Sequence, residues 1–132
     1  MNIHFMHLAK PIALVVLAAF LAVGAQAQQL TPGTPVTLTE EQQDQVKAYV
    51  KDELKDPDSA RFGVMAASSR ANGVVTVCGW VNARNSYGGY AGEQPFYGIF
   101  TFNSVFIVGN VAGDQYEAYG IIKMCESLGI RI

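Results

Sequence analysis

Val74-Val75-Thr76-Val77-Cys78-Gly79-Trp80-Val81-Asn82 is the stretch whose reading decides the fold. Five of its nine residues are β-branched, counting Val74, Val75, Thr76, Val77 and Val81. Such side chains lose rotamer freedom in a helix and pack well on a pleated surface, so the segment reads as a strand. Asn72-Gly73 just ahead of it is a turn signal. Arg61 to Ser68, on the far side of that turn, reads as a second, shorter strand. Asn85 to Gly92 (NSYGGYAG), which follows, is too glycine-rich for regular structure and reads as a loop. Phe96 to Phe102 and Val105 to Val108 are two more strands, with Asn103-Ser104 as a tight connection.

Helices flank the strands in sequence. Thr39 reads as an N-cap with Gln42 three residues on, the spacing of a capping box, and Glu40 and Glu41 occupy the first turn. Val46, Tyr49, Val50 and Leu54 fall on one helical stripe. Lys47, Lys51 and Lys55 line another face. Asp44 and Asp52 interleave with them, which marks a solvated surface rather than a grip for an acidic partner. Asp56-Pro57 ends this helix, because proline disfavours helical geometry in the residue before it. Asp114 is the N-cap of a second helix, whose apolar positions are Ala118, Ile121, Ile122, Cys125 and Leu128, and Gly129 is its stop. The fold class is therefore α+β: three or four antiparallel strands flanked by an N-terminal and a C-terminal helix.

The last hairpin is apolar on both sides. A two-residue turn puts Phe100, Phe102, Val105 and Ile107 on one face and Tyr97, Ile99, Phe106 and Val108 on the other. A sheet with one wet face should alternate apolar and polar residues. Either each face carries a helix, the arrangement the sequence favours, or both helices cover one face and the other meets a partner.

The 132-residue chain opens with an address rather than a structure. Lys10 precedes an unbroken apolar run, Ile12 to Val23, and Ala25-Gln26-Ala27 places small residues where a signal peptidase reads them. A run of this length matches a secretory h-region of about 7–15 residues and falls short of the roughly 20 needed to span a bilayer. Gln28 and Gln29 stand where a lipid-anchored form would carry cysteine. The expected layout is a signal peptide over 1–27, a linker over 28–37 and one domain over 38–132, exported to the periplasm or secreted. Nine basic and eleven acidic residues, with no basic block, argue against nucleic acid or an anionic membrane surface as partner.

Cys78 and Cys125 are the only cysteines. In an oxidising compartment such a pair closes a disulfide, and a loop of about 50 residues is worth about 4 kcal/mol in the chain-entropy picture. Both histidines, His4 and His7, lie in the leader. The domain thereby lacks the usual general base, the usual partner of a nucleophile and the commonest zinc ligand, so neither metal nor cofactor is expected. Glu93 lies beside the glycine-rich loop and Asp58 follows the helix break, and nothing in their spacing joins them as a glycosidase pair.

The candidate contact surface is the loop itself: Asn82, Arg84, Asn85, Tyr87 and Tyr90, set among glycines. Aromatic anchors, amides and arginine on an adaptable backbone are the composition of binding loops. The same residues also serve as turn caps and packing lids, so function and scaffold compete for them.

Two segments carry a resemblance. Leu54 to Phe62 (LKDPDSARF) and Val77 to Gly92 (VCGWVNARNSYGGYAG) are similar to DPxSAxF and VCGxVNxxNSxGGYxG in a group of short exported bacterial and prophage-borne proteins. The likeness covers the middle of the chain, and Trp80 departs from it where a charged or polar residue is expected. It implies a small exported domain and supplies no activity. The sequence therefore predicts a non-enzymatic binding or interaction module whose partner is a protein or cell-envelope component. An inhibitor of a cell-wall hydrolase and a histidine-free hydrolase are the alternatives.

Overall fold

The computed structural model describes residues 31–132. The expected signal peptide and its cleavage site lie outside them. The elements run β1 (Thr34–Val36), α1 (Glu40–Asp52), a 3-10 turn (Pro57–Ser59), β2 (Arg61–Ser69), β3 (Val75–Asn82), β4 (Gln94–Phe100), β5 (Phe106–Val111) and α2 (Gln115–Ser127). The strands form one antiparallel sheet in sequence order, β1-β2-β3-β4-β5.

The class is α+β with a helix at each end of the main sheet, but the strands number five rather than three or four. The extra one is β1, inside the stretch read as a linker. Pro35 and the threonines suggest a spacer. On an edge strand a proline is tolerated, and the segment pairs with β2 from Thr34↔Ser69 to Val36↔Ala67.

Each helix is set by its caps. Thr39 Oγ1 accepts the Gln42 amide at 3.2 Å and Gln42 Oε1 accepts the Thr39 amide at 2.9 Å, completing the capping box. Val46 and Val50 are fully buried, while Tyr49, one position off their stripe, faces outward. The helix stops at Asp52, sooner than Asp56-Pro57 requires. The chain then passes through Leu54 into an extended Asp56 ahead of the proline. At the other end, Asp114 Oδ1 accepts the amides of Tyr116 and Glu117. Gly129, at φ 77°, closes α2 with Ile130 N–H bonded to Cys125 O and Gly129 N–H to Glu126 O, a Schellman cap.

The two faces of the sheet hold two cores, one under each helix. On one, Val77, Val81, Phe96, Phe100 and Phe106 pack with Val46 and Val50 of α1. On the other, Cys78, Ala66 and Tyr97 pack with Ile121, Cys125 and Leu128 of α2. The Cys78–Cys125 disulfide joins β3 to α2 across the second core. Leu128 O accepts from Gly33 N and Ser68 Oγ, which ties the end of α2 to β1 and β2. A helix on each face thus covers Phe100, Phe106 and Val108 on one side and Tyr97 on the other, while Phe102, Val105 and Ile107 of the hairpin stay exposed.

The hairpin register differs from the one a two-residue turn requires. The connection is three residues, Phe102 to Ser104, closed by Thr101 N–H to Val105 O, with Ser104 at φ 58°. Phe100 therefore pairs with Phe106 and Ile99 with Ile107. One extra turn residue turns β5 over, so Phe106 and Val108 face α1 with Phe100, and Val105 and Ile107 take the opposite side. The ring of Phe106 lies across Gly98, where a Cβ would collide with it. Phe96 covers Gly79 in the same way, at 2.6 Å from the position a Cβ would take.

Candidate functional site

The loop between β3 and β4 begins as an extension of the strands. Arg84 and Tyr90 form an isolated antiparallel bridge, and Ala91 N–H reaches Ala83 O at 3.2 Å. Inside it, Asn85 organises the turn. Its Oδ1 accepts from Tyr87 N at 2.9 Å and Gly89 N at 3.3 Å, and its own amide donates to Gly89 O at 2.8 Å. Gly88 N–H closes on Asn85 O with φ at 84°, a conformation that glycine adopts without strain. The tip is consequently fixed, and the Tyr87 side chain stands on it 97% exposed.

The base of the loop is held by the short segment ahead of β2. Ser59 is buried; its hydroxyl donates to Asp56 O at 2.7 Å and accepts the Arg84 amide at 2.8 Å. Tyr90 Oη donates to Ser59 O at 3.1 Å. Arg84 Nε pairs with Asp56 Oδ2 at 3.0 Å, and the Arg61 guanidinium lies 4.2 Å from the centroid of the Tyr90 ring. The two segments that carry the sequence resemblance are thus one interlocked unit. Asp56, Ser59 and Arg61 belong to it although none was read as a site residue. The signal available was their place in the DPxSAxF segment, one, two and four residues from Pro57, which fixes the turn.

The five loop candidates divide accordingly. Tyr87 alone is free at the tip. Asn85 builds the turn, while Arg84 and Tyr90, the latter 40% exposed, brace the base and keep one edge in water. Asn82 sits apart, at the end of β3 opposite Arg61, half-buried, and its Oδ1 finds no donor among the described residues. Beside the loop base runs a shallow groove of about 280 Å³, floored by Leu54, Ala83 and Val111 and rimmed by Lys55, Arg84 and Gln94. A larger groove of about 630 Å³ follows the end of α2, past Ile122, Glu126 and Arg131, and shares no residue with the loop.

Asp56 Oδ2 is paired with Arg84 Nε at the loop base. Among the described residues no three His, Cys, Asp or Glu side chains gather as a metal-binding group. No helix among them is long and apolar enough to cross a membrane. The chain matches no family model, no curated protein and no solved structure.

Proposed function

We propose that the chain is an exported periplasmic binding module, non-enzymatic, whose contact surface is the loop from Asn82 to Gly92. The observation that carries this reading is Tyr87: a large aromatic side chain almost wholly in water, on a turn whose backbone is already ordered by Asn85. A rigid exposed aromatic loses little conformational freedom on binding, and such anchors dominate interface energies. Export is supported by the apolar leader with Ala25-Gln26-Ala27, by the Cys78–Cys125 disulfide, which persists in oxidising compartments, and by the resemblance to short exported proteins. The partner is a protein or cell-envelope component.

A second reading draws on the same tip. A tyrosine projecting from a braced convex loop has the shape of an inhibitor's insertion element, and a cell-wall hydrolase is the target such a periplasmic domain would meet. The discriminating experiment is capture from a periplasmic extract with the processed chain as bait, run in parallel with Tyr87→Ala. A component retained by the wild type and lost by the variant supports the module, and a hydrolase whose activity falls on binding supports the inhibitor. Identical retention by both baits, or a full-length chain held in the inner membrane with its leader intact, would contradict the proposal.

A further inference from the structure

We infer that β5 is a self-association edge, at which two copies of this chain pair antiparallel to make one continuous sheet. Both edges of the sheet are open in principle, but they are not equal. β1 is three residues long and holds Pro35, a device that blunts an edge. β5 is six residues long and holds no proline and no charge. The whole span from Gln94 to Gly113 is uncharged, although the chain carries nine basic and eleven acidic residues elsewhere. Charged side chains, especially lysine, are the usual guard against edge pairing, and here that guard is missing.

The free hydrogen-bonding groups follow from the register. Val105 and Ile107 turn their backbone groups toward β4, as the Thr101–Val105 bond shows, so Phe106 and Val108 present theirs outward. Gln45 Oε1 of α1 accepts the Phe106 amide at 2.7 Å. Among the described residues, Phe106 C=O and both groups of Val108 take no partner and remain for a neighbouring strand. Beside them stand three apolar side chains in water: Phe102, 79% exposed, Val105, 44%, and Ile107, 51%.

A second copy is the occupant this edge fits. Antiparallel pairing about a twofold axis requires each partner to offer the same donors, acceptors and apolar side chains, which identical chains do by symmetry. It also brings together two strands that carry no charge of their own, within a net acidic chain. The Tyr87 loop lies at the end of β4 opposite the hairpin turn, so pairing through β5 leaves it free. The dimer would present two Tyr87 tips at opposite ends of a ten-stranded sheet, a bivalent display.

Sedimentation velocity and native mass spectrometry of the processed chain, over a micromolar-to-millimolar series, test this directly. The wild type should form dimers. Ile107→Lys should weaken them at least about tenfold by placing like charges across the axis, and Val105→Lys should act in the same direction if Ile107→Lys melts early. Val64→Lys, a charge on the exposed bulge of β2, should leave the dimer unchanged. Mixing Ile107→Lys with Ile107→Glu should restore a mixed dimer. A wild type that stays monomeric throughout would leave the edge to a strand of some other protein and overturn the proposal. A dimer indifferent to Ile107→Lys, or weakened equally by Val64→Lys, would overturn it too.

Discussion

Ser59 Oγ accepts the backbone amide of Arg84 at 2.8 Å, and through that bond a turn ahead of β2 holds the loop beyond β3. The two residues are twenty-five apart in sequence. The Arg84–Asp56 pair beside it is about half in water, where an ion pair is worth at most about 1 kcal/mol. The buried hydroxyl is therefore the stronger clamp, because removing it leaves the Arg84 amide without its partner. Ser59→Ala should cost about 1–3 kcal/mol in denaturant unfolding and raise hydrogen exchange at the amides of Arg84 and Tyr87. Unchanged exchange in the loop would show that something else holds it.

The packing of β4 against β5 brings the ring of Phe106 over Gly98. A methyl group there meets both that ring and the Ile107 carbonyl, and a carbonyl of the paired strand has little room to yield. Gly98→Ala should destabilise the domain by at least about 1–3 kcal/mol, the range for overpacked cores. Urea midpoints of the two proteins are the check, and coincident curves would contradict the register described for this hairpin.

Much of this fold is legible in the sequence, and the failures have physical causes. Thr39 with Gln42, and Asp114 ahead of α2, specify helix starts through local hydrogen bonds, and local signals survive folding unchanged. The Cys78–Cys125 pairing follows from there being only two cysteines. The β5 register does not, because Ser104 takes a left-handed conformation with no glycine to announce it, and one more turn residue inverts the strand. β1 is hidden by Pro35, since an edge position that tolerates proline looks like a linker until its neighbour is known. Ser59 is hidden for the same reason: its role depends on Arg84, brought near only by the sheet.

The disulfide joins the centre of β3 to the inner face of α2, closing a separation of 47 residues. Replacing both cysteines with alanine should lower stability by about 4 kcal/mol, mostly by freeing the unfolded chain. A domain whose stability is about 5 kcal/mol would then keep only about 1 kcal/mol. Calorimetry on the oxidised and double-alanine proteins measures the difference. A loss below about 1 kcal/mol would mean that the core under α2 holds without its covalent link.

If the braced loop presents Tyr87 to a partner, truncating that ring weakens binding and leaves stability intact. Tyr87→Ala and the wild type are titrated by calorimetry against the partner retained from the periplasmic extract. The thermal melts should coincide, since a surface substitution shifts stability by no more than about 0.5 kcal/mol. Binding should weaken by about 2 kcal/mol or more, roughly thirtyfold, as it does when an aromatic anchor is truncated. Equal affinities of the two proteins would contradict the account and reduce the loop to scaffold.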